Sequence, residues 1–247
     1  MGQESNQSKI DWDEQDSQTF IDFGHYFVPD RELQIRTICD LIPASKEPFH
    51  ILELCCGEGL LAGALLERFP NCIVHGLDGS RETLQRAKTN LAQYGERFDV
   101  KLFDLASRSW RHPPWPIHAV TSSLAIHHLN AQQKQELFQD IQQMLFPGGV
   151  FLVVDLIQPA NQLGVEVAAK AWEDAVRQRS LELDGNTRAV EYFRQEQWNC
   201  YVYPDPVDKP SRLFDQLKWL ERAGFVEVDM YWMKAGHTIF GGRKSKD

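Results

Sequence analysis

The segment Ile51-Leu52-Glu53-Leu54-Cys55-Cys56-Gly57-Glu58-Gly59 sets an acid inside an apolar run and follows it with two glycines one residue apart. Glycine permits a tight turn and lets a ligand approach the backbone closely. N–H groups at the start of a following helix can then hold a polar or anionic group. Glu53, flanked by Ile51, Leu52 and Leu54, belongs in a buried strand, where its charge needs a partner such as a ligand's ammonium. Asp78 comes 21 residues after Gly57 and closes a second apolar run. From that position an acid hydrogen-bonds the ribose hydroxyls of an adenosine ligand. Asp104 closes a third run, on the same edge, within reach of an adenine amino group. Further on, His127 and His128 stand side by side after a fourth apolar run. A cap at a helix entrance is one reading for either imidazole. The chemical reading has His127 border the reacting centre and accept a proton from, or hydrogen-bond, a substrate.

Regular alternation positions these residues. A helical reading covers Phe20 to Leu41, interrupted near Pro29. Short strands are predicted at His50–Leu54, Cys72–Leu77, Asp99–Phe103, Ala119–Leu124 and Val150–Asp155. Helices between them carry Leu60, Leu61, Ala64 and Leu65, then Leu84, Ala87 and Leu91 behind a Ser80 cap, then Leu137, Ile141 and Leu145 behind an Asn130 cap. Pro147-Gly148-Gly149 is read as a sharp break before the fifth strand. Strands alternating with helices at this spacing call for a parallel α/β sheet. After residue 156 the pattern changes: a helix over Gln162–Leu183, then five aromatics among Tyr192, Phe193, Trp198, Tyr201 and Tyr203, then a helix over Ser211–Ala223. Val226–Met233 and His237–Gly242 read as a closing antiparallel hairpin. The domain reading is an acidic flexible leader over 1–18 and one domain over 19–247, with a helical cap at 19–45 and a substrate lid inserted at 156–210.

Composition narrows the classes. The 247 residues carry a net charge of −9, with 43 % hydrophobic residues, an ordinary globular balance. Residues 1–30 contribute −6 of that charge, so the body is near neutral at −3. An acidic chain is a poor candidate for nonspecific nucleic-acid binding. The N-terminal stretch has no basic and apolar signal regions, and no apolar run is long enough to cross a bilayer, so a cytoplasmic location and no membrane partner are expected. Five cysteines, odd in number and without a CxxC pair, point to reduced thiols, with Cys55 and Cys56 as small packing residues and no metal site.

Two ligands suit the strand-end pattern, a nicotinamide dinucleotide and S-adenosylmethionine. Gly57, Gly59 and Ala62 even satisfy G-x-G-x-x-A. Glu53 favours a cationic ligand, and no Tyr-x-x-x-Lys pair for a short-chain dehydrogenase is present. The chain resembles the class I S-adenosylmethionine-dependent methyltransferases of small-molecule type, from about Phe23 to Lys244. Ile51–Gly59 matches their first motif, with Cys55 standing where a glycine is usual. Asp78 matches the ribose acid, Asp104-Leu105 the adenine pair, Ser122–Leu129 the segment after strand four, and Leu145–Gly149 the turn before strand five. The resemblance implies a Rossmann-like seven-stranded, mostly parallel sheet with an antiparallel last strand, helices on both faces and a helical lid insertion.

It also implies S-adenosyl-L-methionine as cofactor, held by Glu53, Leu54, Cys55, Gly57, Gly59, Asp78, Gly79, Ser80, Asp104, Leu105, Ser123 and Leu124. Tyr26, His127, His128, Tyr192 and Trp198 are the expected contacts for a small O, N, S or C acceptor, with His127 as candidate base. The lack of an Asn/Asp-Pro-Pro-Tyr/Phe element at 122–125 weighs against amide and base-amine acceptors. The rival readings are an NAD(P)-dependent oxidoreductase, an enzyme using or modifying the cofactor without methylating, and a non-catalytic cofactor-binding subunit.

Overall fold

Apolar runs buried on both faces build the centre of the molecule, seen in a computed structural model described for residues 14–247, with side chains from residue 18. Five strands run parallel: β1 (Phe49–Leu54), β2 (Cys72–Asp78), β3 (Phe98–Leu102), β4 (Ile117–Ser123) and β5 (Leu145–Leu156). β6 (Phe225–Lys234) and β7 (His237–Lys244) complete a seven-stranded sheet of order β3-β2-β1-β4-β5-β7-β6, with β7 antiparallel to both neighbours. This is the expected architecture. Successive side chains of one strand enter opposite cores, as the two-residue period demands. Ile51, Leu152 and Val154 pack on one face, and Leu52, Phe151 and Val153 on the other.

After α1 (Glu14–Phe27), helices cover both faces: α2 (Arg31–Leu41), α3 (Leu60–Arg68), α4 (Arg81–Asn90), α5 (Ala131–Met144) and α8 (Leu213–Ala223). The break near Pro29 falls between α1 and α2, where Asp30 takes φ 49°. Ser80 Oγ accepts from the Thr83 N–H at 3.0 Å, and Asn130 forms a reciprocal capping box with Gln133, so both predicted caps hold. The acidic leader lies outside the described residues up to position 13, and residues 14–18 belong to α1.

Most boundaries shift by a residue or two from the sequence reading, and two differences bear on the site. β3 starts and ends one residue earlier than expected, which puts Asp104 two residues past the strand. Pro147-Gly148-Gly149 does not separate α5 from β5; it is a bulge inside β5. Ile117 pairs with Leu145 and Ala119 with Val150, so four residues oppose His118 alone. A side chain at Gly149 would sit 2.8 Å from the Phe146 carbonyl and 2.9 Å from that of His118, which explains why glycine holds the loop so close.

Between β5 and α8 lie α6 (Gln162–Asp184) and α7 (Arg188–Gln195). The aromatics there build a third core with α1. Phe23 stacks on Tyr192 at 4.1 Å, and Phe27 packs on Phe193 and Trp198. Trp172 buries its ring and donates Nε1–H to the Phe27 carbonyl at 2.7 Å. Tyr201 donates its hydroxyl to the carbonyls of Ile157 and Gly236, tying this layer to the β6–β7 turn. Rings of this size contribute roughly 1.5–3 kcal/mol each on burial, enough to hold the layer on the sheet.

Candidate functional site

Strand order reverses at β1, whose neighbours are β2 and β4. In open α/β sheets a crevice forms beyond the carboxyl ends of the strands at such a point. Here a cavity of about 900 Å³ opens there, within the size range of small-molecule sites.

The first wall is the turn after β1. Cys55, Gly57 and Gly59 all have positive φ, at 55°, 55° and 87°. The backbone thus coils into a shallow cradle, and a Cβ at Gly57 would meet nothing within 4 Å. Cys55 occupies the left-handed region without a glycine's freedom, a conformation that costs about 1–2 kcal/mol. Cys56 points the other way: its Sγ fills the space above Gly76, where a Cβ would lie 2.8 Å away. Asp78 braces the turn, its two carboxylate oxygens accepting from the N–H groups of Gly57 and Ser80, each at 2.9 Å. Asp104 sits exposed on the rim, accepting from the Ala106 N–H at 2.9 Å.

Glu53 is the outlier of this wall. It is 2 % exposed and its Oε2 has no hydrogen-bond partner. Burial, reinforced by the nearby Asp78, pushes its carboxyl up to about 8, against one backbone N–H at Ala62 that favours the charged form. A buried, half-satisfied carboxylate in a cavity wall calls for a cation.

The opposite wall holds the histidines. A 3₁₀ turn, Ile126–His128, follows β4. His127 is 5 % exposed, with Nδ1 2.5 Å from Asp155 Oδ1 on β5 and Nε2 3.4 Å from Asp208 Oδ1. Burial alone would lower its pKa; the two carboxylates outweigh that and raise it to about 9. His128, lowered to about 4 by burial and by His127, has Nδ1 3.5 Å from the same Asp208 oxygen. His237, at the start of β7, is buried edge-on against Trp172 and lowered by burial to about 4. Its Nδ1–H donates to the Ala235 carbonyl at 3.0 Å, which makes Nε2 the acceptor nitrogen.

Most residues singled out from the sequence meet at this cavity. Glu53, Cys55, Gly57, Asp78, Gly79 and Ser80 line one end, and Asp104, Leu105, Ser123 and Leu124 continue it. His127, His128 and Trp198 line the other end. Four do not reach the wall. Leu54 is fully buried in the sheet core, and Gly59 is the N-cap of α3, pressed against Leu91. Tyr26 turns outward and donates its hydroxyl to Asp184 at 2.6 Å, and Tyr192 is spent in the stack on Phe23. Arg31, Trp172, Asp208 and His237 line the cavity without having been picked out. Arg31 packs over Phe20, with the carboxylates of Glu58 and Glu32 nearby. A cation directly after the α1–α2 break was the one usable signal among these four.

Residues 51–149 match the family model described as a methyltransferase domain. An uncharacterised methyltransferase of a Synechocystis strain is 33 % identical over 121 residues, covering 46 % of this chain and 50 % of that one. A trans-aconitate 2-methyltransferase of an Acidovorax strain is 31 % identical over 131 residues, covering 51 % and 47 %. The chain thus spans about half the length of the curated relatives it matches. Among solved structures, an O-methyltransferase family protein from Burkholderia thailandensis superposes with a TM-score of 0.68 at 15 % identity, over 94 % of this chain and 60 % of that one. Human N-acetylserotonin methyltransferase in complex with its methyl donor, S-adenosylmethionine, gives 0.59 at 16 % identity, over 94 % and 57 %. At such identities these neighbours speak to the fold. Among the described residues no helix is long and apolar enough to cross a membrane.

Proposed function

We propose that this chain, which belongs to the class I S-adenosylmethionine-dependent methyltransferases, moves a methyl group from that cofactor to a small-molecule O, N, S or C acceptor. One observation carries the reading: the buried Glu53 carboxylate with an unpartnered oxygen in the cavity wall, which fits the cofactor's ammonium. A nicotinamide dinucleotide would bring its anionic pyrophosphate to this turn, where Glu53 needs a cation, which disfavours the oxidoreductase alternative.

In this reading the N–H groups of the Cys55–Gly59 turn and Glu53 hold the amino-acid end of the cofactor, and Arg31 pairs with its carboxylate. Asp78 takes the ribose hydroxyls, while Asp104 and Leu105 take the adenine. Gly79, Ser80, Ser123 and Leu124 shape the surrounding wall, and Leu54 and Gly59 act from behind it by fixing the turn. Bound S-adenosylmethionine supplies a methyl group already activated on a sulfonium. The protein's work is therefore alignment and exclusion of water. Leu156, Trp172 and Trp198 give the acceptor an apolar enclosure. Nε2 of His237 accepts a hydrogen bond from the acceptor's O–H or N–H and orients it. His127, which carries a proton at neutral pH when its two carboxylates have no other cation, donates from Nε2 instead of acting as the base first expected of it. Tyr26 and Tyr192 act through the packing of the lid.

Calorimetry with S-adenosylhomocysteine tests the foundation: stoichiometric binding is expected, and no heat at millimolar ligand would sink the proposal. Methyl-labelled cofactor offered with a metabolite extract then identifies the acceptor. Label that never leaves the cofactor would favour a non-methylating role.

A further inference from the structure

We propose that His127, His128 and Asp208 form a site for a divalent transition-metal ion at the acceptor end of the cavity. The three donor atoms lie within 4.8 Å of one another, and all three residues line the cavity. The spacing is that of ligands around an ion. His127 Nε2 and His128 Nδ1 stand 3.4 and 3.5 Å from a single oxygen, Asp208 Oδ1. Charge-assisted hydrogen bonds close to about 2.7–2.9 Å, so these contacts are too long to be the purpose of the cluster. Donors about 2.1 Å from one ion in tetrahedral geometry are separated by about 3.4 Å; both imidazole-to-carboxylate distances match this, and the two imidazole nitrogens close on the ion from within 4.8 Å of each other.

The surroundings complete the arrangement. Asp155 Oδ1 lies 2.5 Å from His127 Nδ1 and also accepts from the Leu156 N–H at 2.9 Å. A carboxylate holding one imidazole nitrogen fixes the tautomer and aims the other nitrogen at a metal. Asp208, 80 residues distant in sequence, is fastened to the histidine turn by its neighbour. The Lys209 N–H donates to the His127 carbonyl at 2.8 Å, and Lys209 Nζ to the His128 carbonyl at 3.2 Å. Buried Lys134 anchors the far side, its Nζ donating to the Lys209 carbonyl at 2.5 Å and to Ser211 Oγ at 2.8 Å. The ligands are thus held by the fold before any ion arrives. The long 3.3 Å approach of His128 Nδ1 to the Val207 carbonyl yields when an ion binds.

Two imidazoles and one carboxylate suit Zn²⁺, Fe²⁺ or Mn²⁺ and discriminate against Mg²⁺ and Ca²⁺, which prefer oxygen shells. Three protein ligands leave a coordination position open toward the cavity. An oxygen or nitrogen of the methyl acceptor fits there, a role that rests on the methyl-transfer reading, whereas ion binding itself does not. Such an acceptor would carry a metal-ligating donor atom.

The test is titration of the chelator-stripped full chain with Co²⁺, read by visible absorption, and with Zn²⁺, read by calorimetry. One equivalent should bind with the absorption of a four- or five-coordinate cobalt site. Asp155→Asn should weaken binding about 10- to 100-fold, and Asp208→Ala and His128→Gln should weaken it further. S-adenosylhomocysteine binding, which draws on the opposite end of the cavity, reports whether each variant is folded. No stoichiometric uptake by wild-type protein that binds S-adenosylhomocysteine would overturn the proposal, as would uptake unchanged in both folded ligand variants. Metal uptake without S-adenosylhomocysteine binding would uphold the ion site and fell the methyl-transfer reading.

Discussion

Replacing Glu53 by Gln keeps the side chain's size and removes its ionisation, and the consequence is a change in the pH dependence of stability. Burial raises the carboxyl from an ordinary 4.5 to about 8. The folded protein therefore holds a proton there that the unfolded chain gives up. For an acid shifted upward, stability from this group is complete below about pH 4.5 and falls as pH rises toward the folded value. Integrated from about pH 6 to about pH 9, Glu53 alone should cost the ligand-free protein roughly 2–3 kcal/mol. Urea unfolding at the two pH values, in wild type and Glu53→Gln, isolates this contribution. The wild type should lose about that much more stability on going alkaline than the variant does. The partner ligand reverses the sign of interest. Glu53→Gln should weaken S-adenosylhomocysteine binding by about 1.5–3 kcal/mol, roughly 10- to 150-fold, the worth of a charge-assisted hydrogen bond. Parallel pH profiles in the two proteins would refute the burial argument. Unchanged affinity would refute the assignment of Glu53 to the ligand's ammonium.

Other outcomes can be checked independently. Cys55→Gly should raise stability by about 0.5–1 kcal/mol, because relief of the positive-φ strain exceeds the added freedom of the unfolded chain; urea midpoints measure it. Arg31→Met should raise the dissociation constant for S-adenosylhomocysteine about tenfold or more, and should do so less for adenosine, which has no carboxylate; calorimetry with both ligands distinguishes the two. Lys134→Met should cost about 1–3 kcal/mol through lost hydrogen bonds to the 209–211 backbone and side chain, and should speed proteolysis near residue 208. Gly76→Ala should destabilise by forcing Cys56 off its seat, an effect that Cys56→Ala should partly rescue in the double variant.

What the sequence displays well is what short-range physics decides. The apolar strands, the capping residues Ser80 and Asn130 and the glycine turn are local, so their spacing carries the sheet and the cavity wall built on that turn. The bulge at Pro147–Gly149 is not legible in the sequence, because Pro and Gly mark irregular backbone without saying whether a strand continues past it. The wall that holds the histidines was legible only in part. His127 and His128 are adjacent, but Asp155 and Asp208 reach them, and Trp172 and His237 join the same cavity, through tertiary packing that leaves no period in the chain. Aromatic content alone likewise does not tell which ring faces a cavity. Tyr192 stacks inside the layer while Trp198 lines the cavity, although only five residues lie between them.

The seat of β7 inside the sheet also governs the molecule's birth. Of the seven strands it is the last synthesised, yet it lies between β5 and β6. Until residues 237–244 emerge, β5 offers a bare backbone edge along Val150–Val154, among the most apolar stretches of the chain. Exposed edges of that kind recruit other chains. A nascent or truncated chain that stops after α8 should therefore aggregate, whatever the quality of its first five strands. His237 arrives with the same strand, so closing the sheet and finishing the cavity are one event on the ribosome's clock.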